Sequence, residues 1–157
     1  MFAKTFEKFS YTSAGISTIL LLGISYYYTT LDITWSLFES KIINGILIFG
    51  SLMLSNYAID TVTRQLTIER SNRNAYHLLL YPLIIISYPV EFIDMRFILS
   101  SAAIWAACRN MRIFFELTKT TKKNKRLLDA CILLSFSSFL IIENLIIFIY
   151  PLLALIT

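Results

Sequence analysis

Residues 97–143 read FILSSAAIWAACRNMRIFFELTKTTKKNKRLLDACILLSFSSFLIIE. Two apolar runs stand on either side of a connection dense in positive charge. The first run covers 97–114 and the second starts near Leu127. About 20 apolar residues wound as a helix cross the ~30 Å hydrocarbon layer of a bilayer. The connection holds Arg109, Arg112, Lys119, Lys122, Lys123, Lys125 and Arg126. A run, a basic connection and a second run describe a membrane hairpin. The rest of the chain repeats the pattern.

Working outward, apolar segments also cover 11–30, 42–59 and 75–90, the last of them short. Lys and Arg fall in every second connection. Lys4 and Lys8 precede the first segment, and Arg64, Arg70 and Arg73 follow the second. With the seven above they share one side, leaving only Lys41 and Arg96 of the 14 on the other. Positive charge sets membrane orientation and acidic charge does not. The ten acids divide evenly between the sides, consistent with that rule. The expected placement is the bacterial inner membrane, with the amino terminus and basic connections cytoplasmic.

Composition agrees. Hydrophobic residues make up 57% of the 157 and charged residues 15%, at a mean hydropathy of +0.67. Soluble domains carry about a quarter charged residues. So few polar side chains cannot cover a water-facing surface, and lipid is the expected solvent. The net charge of +4 belongs to orientation and implies no nucleic acid. Every span must be helical, because unpaired backbone groups are too costly in lipid.

The predicted fold is therefore all-α: a polytopic transmembrane helix bundle in sequential hairpins, with five full spans and a short or truncated sixth. Residues 1–157 form one transmembrane domain, of which 1–10 is an interfacial segment and 11–157 are the hairpins. Phe2, Phe6 and Phe9 recur at helical spacing beside Lys4 and Lys8, as an interfacial helix requires. Tyr26, Tyr27, Tyr28 and Trp35 mark the far interface. Residues 127–157 hold only Asp129 and Glu143 as charges and would make one helix of about 46 Å, too long for the hydrocarbon. A break at Glu143-Asn144 is expected, with a sixth segment over 145–157. Its apolar ending suggests partial insertion or the front part of a longer protein.

Residues able to carry chemistry are few. Tyr-Pro recurs at Tyr81-Pro82, Tyr88-Pro89 and Tyr150-Pro151. Proline removes a backbone donor. Pro82 and Pro89 are seven apart and share a face, either as a hinge lining a cavity or as a kink fitted to neighbours. Asp32, Glu39, Glu91, Asp94 and Glu143 lie in the outer connections, where converging carboxylates could act as a base or hold a metal; solvated loop acids are the simpler reading. His77, the one histidine, stands at the start of the third segment as an ordinary interfacial ring. Arg109 and Asp129 are within reach of each other if their helices pair. Ser100, Ser101, Ser135, Ser137 and Ser138 suit close helix packing. Cys108 and Cys131 share no motif spacing and read as small packing residues. No catalytic, cofactor-binding or metal-ligating set is assigned, and no cofactor is expected.

Several short motifs resemble an uncharacterised family of multi-pass inner-membrane proteins of Bacteroidetes. They are Arg73-Asn74-Ala75-Tyr76, Pro89, Leu99-Ser100-Ser101, Ala106-Ala107-Cys108-Arg109, Leu128-Asp129-Ala130 and Tyr150-Pro151. The likeness covers 73–151, about half of the chain. The family carries a second arginine after the fourth segment, where this chain has Asn110 with Arg112 nearby. Its members have further helices beyond the sixth, so the resemblance implies an amino-terminal portion. It implies no activity.

The leading expectation is a non-enzymatic subunit or scaffold of a membrane complex, embedded in the bilayer and joined to a protein partner or to missing carboxy-terminal helices. The alternatives are part of a membrane enzyme or carrier handling lipid-linked sugars, and a small-molecule transporter. Lys119, Lys122, Lys123, Lys125 and Arg126 are placed to meet anionic lipid headgroups.

Overall fold

A computed structural model of the chain describes residue 6 and residues 10–31, 37–66, 75–87, 94–117 and 120–156. These residues form helices and contain no strand. The α-helices are α1 (Tyr11–Thr30), α2 (Lys41–Leu66), α3 (Tyr76–Ser87), α4 (Met95–Glu116), α5 (Thr120–Leu140) and α6 (Ile149–Ile156). A 3₁₀ helix, Ile142–Phe148, joins α5 to α6. One described helix, Lys41–Thr63 within α2, is long and apolar enough to cross a membrane, at a mean hydropathy of 1.6. Helices α1, α4 and α5 match its length at 20, 22 and 21 residues but are diluted by hydroxyls and charges.

Caps fix two helix starts. The Ser10 hydroxyl accepts from Ser13 N at 3.1 Å while Ser13 Oγ accepts from Ser10 N at 3.0 Å, a reciprocal box that satisfies two orphan donors. The Asp94 carboxylate accepts from Phe97 N at 2.8 Å to open α4. Helix α5 begins at Thr120, seven residues earlier than the apolar pattern suggests. Lys122, Lys123, Lys125 and Arg126 thus form its first two turns and are not a loop. Hydrophobicity located the apolar part of this helix, whereas straight-chain lysines and arginines extend it at little cost.

Contacts between helices give their directions. Ser25 with Gly45 and Ser17 with Asn56 make α1 and α2 antiparallel. Ser17 with Leu78 and Tyr28 with Ile85 make α1 and α3 parallel. Arg112 with Val62 sets α4 parallel to α2, and Ser100 with Ser137 sets α5 antiparallel to α4. The described basic residues Arg109, Arg112, Lys122, Lys123, Lys125 and Arg126 therefore share one end of the bundle, and Lys41 and Arg96 sit at the other. The hairpin order departs from expectation at one place. Helix α3 packs on α1 and α2, whereas α4 turns to α2 and α5. Twelve residues with a proline inside make α3 too short to offer α4 a full-length partner, and α2 with 26 residues offers one.

Two apolar clusters form the core. One joins α1, α2, α3 and α4 through Leu21, Ile24, Tyr28, Leu52, Tyr81 and Ile98. The other joins α4 and α5 through Ala107, Met111, Ala130 and Leu134, with Ile147 and Phe148 of the 3₁₀ helix laid against it. Polarity is inverted elsewhere. Ser17 is 1% exposed while Ile19 is 71% exposed, and Ser137 is 0% while Phe139 is 87%. Phe6 is fully buried against Ala75 and Leu78, and its carbonyl accepts from Ala75 N at 2.8 Å. It therefore anchors to the start of α3. Phe2 and Phe9 lie outside the described residues, as do Asp32, Trp35, Tyr88, Pro89, Glu91 and Lys119.

Pro82 explains the α1–α3 junction. Without an N–H it leaves the Leu78 carbonyl, four residues back, without its helical donor. The Ser17 hydroxyl of α1 donates to that carbonyl at 2.8 Å, and Asn56 Nδ2 of α2 donates to Ser17 Oγ at 3.0 Å. Similarly, the Tyr28 hydroxyl donates to the Ile85 carbonyl at 2.9 Å, in the last turn of α3 where helical donors run out. Both carbonyls are held by α1, so the backbone around Pro82 is a fitted joint of the bundle. Ser17→Ala should lower stability by about 1–2 kcal/mol in equilibrium unfolding, and by clearly less in a Pro82→Ala background, where residue 82 supplies the missing donor. Equal losses in both backgrounds would show that the hydroxyl does not replace the proline's donor.

Candidate functional site

The basic end of the bundle gathers the charged side chains that the sequence scatters. The last turns of α2 bring Tyr57, Asp60 and Val62. The first turn of α3 brings His77. The last turns of α4 bring Arg109, Asn110 and Arg112, and α5 adds Lys123, Arg126 and Asp129. His77 Nε2 donates to Asp60 Oδ1 at 2.8 Å with both side chains largely buried, joining α2 to α3. An ionisable pair in so apolar a chain persists only because each partner satisfies the other.

The arginines act as clamps. Arg112 Nη1 donates to the Val62 carbonyl at 2.9 Å, where the negative end of the α2 dipole favours a cation. The Arg109 guanidinium lies 5.0 Å from the Tyr57 ring centre, a cation–π contact between α4 and α2. Its Nε is buried without a hydrogen-bond partner among the described residues. Arg126 Nη1 donates to Asn110 Oδ1 at 3.1 Å and lies 4.0 Å from the Asp129 carboxylate on its own helix. Lys123 sits 5.4 Å from the Phe114 ring centre. Arg109 and Asp129 do not pair: Arg109 faces α2, and Asp129 stands beside Arg126.

At the opposite end the break after α5 is built around Asn144. Helix α5 stops at Leu140 and Ile141 is extended. The Asn144 amide then donates back to Ser100 Oγ at 2.6 Å and to Ser137 Oγ at 2.9 Å, while those two hydroxyls lie 2.8 Å apart. Three short polar side chains thus tie α4, α5 and the 3₁₀ helix together. The break expected at Glu143-Asn144 falls two or three residues early, with Glu143 exposed. Rising ~2.0 Å per residue, the 3₁₀ stretch lets residues 142–156 span about 26 Å, more than the reach expected of 145–157.

The outer acids do not form a described site. Asp94 is occupied as the α4 cap and pairs with Arg96 Nε at 3.0 Å, and Glu39 is exposed. No metal-binding group of His, Cys, Asp or Glu occurs among the described residues. Two open grooves flank the bundle. One, of about 570 Å³, runs between α4 and α6 with Arg112 in its wall. The other, of about 630 Å³, lies between α1 and α2 near Lys41. Comparison with protein-family models, with curated proteins and with solved structures finds no match.

Sequence reasoning passed over Asp60 and used Asn144 only to mark a helix break. The available signal was spacing. Asn56 and Asp60 are one helical turn apart inside an apolar helix, where polar side chains need a reason. Asp60→Ala and His77→Ala should each destabilise the fold, and their double-mutant cycle should show a coupling of about 1 kcal/mol. Additive losses would mean that the contact contributes nothing.

Proposed function

We propose that this chain is a multi-pass integral membrane protein that serves as a non-enzymatic subunit or scaffold of a membrane complex. The observation that carries the reading is the inverted polarity of the bundle. Ser13, Ser17, Ser55, Asn56, Asp60, Ser100 and Ser137 are buried, while Ile19, Leu22, Ile46, Leu80, Ile84, Ile132 and Phe139 face outward. In water that arrangement would expose a large apolar surface and hide hydrogen-bonding groups. In lipid the apolar exterior is solvated, and small polar residues are what hold helices together.

Further support comes from the α2 span and from the gathering of described cations at one end. On the positive-inside rule that end is cytoplasmic, and the inner membrane is the proposed location. The likeness of 73–151 to the Bacteroidetes family belongs to the same proposal. Of its matched positions, Ser100, Ala107, Ala130 and Pro151 are buried, so packing accounts for these four, while Cys108, Leu128 and Tyr150 are exposed. The subunit reading stands on the side chains of the site, which join helices to one another. Asp60, Arg109, Arg112 and Asn144 each cross a helix boundary. A protein partner would cover part of the exposed apolar face.

Three measurements test this. The chain should stay with the membrane in alkaline carbonate and leave it only in detergent. In a cysteine-free background, Lys125→Cys should react with an impermeant thiol reagent from the cytoplasmic face alone, and Glu39→Cys from the opposite face alone. Release by carbonate would sink the membrane reading. Native mass in mild detergent tests the subunit: a fixed stoichiometric partner beside the 18.1 kDa chain supports it, and a lone monomer opposes it.

A further inference from the structure

The groove between α4 and α6 has one polar end. Its wall is formed by Ala107, Met111, Leu134, Ile147 and Leu153, with Arg112 at the basic end. Cys108, Phe115, Tyr150 and Leu153 leave it open outward. From Phe115 to Ala107 it follows α4 for about two turns, roughly 12 Å. Its volume of about 570 Å³ lies within the range of small-molecule pockets.

Charge identifies the occupant. Arg112, Lys122, Lys123, Lys125 and Arg126 crowd the last turn of α4 and the first two of α5, against only Glu116 and Asp129. The Arg112 guanidinium is already steadied by its bond to the Val62 carbonyl, so little side-chain freedom is lost when it meets an anion. A guanidinium fork suits phosphate oxygens, and the apolar trough below it suits a hydrocarbon chain.

We propose that this groove holds one acyl chain of an anionic phospholipid, with its phosphate drawn to Arg112. The inference rests on the membrane reading above and adds a defined lipid to it. It differs from general attraction of the basic turns to a charged surface, because chain and headgroup are bound together on one face.

Cys108 in the groove wall is a built-in reporter. The full chain, carrying Cys131→Ser, is purified in neutral detergent, and the rate of Cys108 maleimide labelling is followed during lipid titration. Phosphatidylglycerol should slow labelling strongly, while phosphatidylcholine and inorganic phosphate leave it nearly unchanged. Arg112→Gln should raise the half-protecting concentration of phosphatidylglycerol about ten-fold. Should that variant fold poorly, Cys108→Phe fills the open groove without touching the core, and native mass spectrometry should then show the retained lipid lost. Equal protection by phosphatidylcholine would overturn the proposal. So would retention of lipid by the Cys108→Phe variant, or protection independent of lipid, which would signal a polypeptide in the groove. A chain that needs detergent but whose Cys108 ignores phosphatidylglycerol refutes this inference alone. A chain released by carbonate refutes the membrane reading beneath it.

Discussion

Backbone carbonyls of α3 that have no helical donor set the terms for the rest of the bundle. Pro82 cannot supply the bond that Leu78 needs, and the end of α3 leaves Ile85 in the same condition. A buried unpaired carbonyl costs a kilocalorie or more. Helix α1 answers with hydroxyls from Ser17 and Tyr28, which lie on one face 11 residues apart, three turns along the helix. That match fixes α1 parallel to α3. Helix α2 then has to lie against both, and Asn56 and Asp60 secure it to α1 and α3 in turn. Gly45 allows the close approach this requires, since a Cβ there would stand 3.0 Å from the Thr29 methyl group.

From α2 outward the structure is held by longer side chains. Arg109 and Arg112 fasten α4 to α2 through a ring face and a carbonyl. The α4–α5 pair closes on small residues, with Ala107, Ala130, Ser100 and Ser137 all fully or almost fully buried. Such residues let backbones approach, and their hydroxyls find each other in the absence of water. The same logic operates at both ends of the bundle, with charged clamps at one and, beside the Asp94–Arg96 pair, hydroxyls and an amide at the other.

The helical class was legible in the sequence because apolar length and alternating charge are one-dimensional signals. Helix α1 has its expected bounds and the short helix around Pro82 lies within three residues of them, whereas α2 runs seven residues past its expected end. The start of α5 departs as well, because charged straight-chain residues extend a helix without leaving a hydrophobic trace. Partnerships were harder to read. His77 and Asp60 are separated by 17 positions, and Ser100 and Ser137 by 37, so only the packing of α2, α3, α4 and α5 makes them pairs. Arg109 shows the limit well. Its charge suggested Asp129 as a partner, yet the fold places it over Tyr57, a choice that depends on helix rotation and not on complementarity of sign.

The 3₁₀ helix between α5 and α6 has a mechanical consequence. Seven residues wound three to the turn store more rotation and more length than the same residues wound as an α-helix. Rewinding them would shorten the segment by about 3.5 Å and turn everything beyond it by roughly 140°. Among the described residues, the Asn144 amide, gripping Ser100 and Ser137, opposes that rotation with side-chain bonds. Asn144 is thus the pawl of a small screw, and its grip decides which face of α6 meets α5.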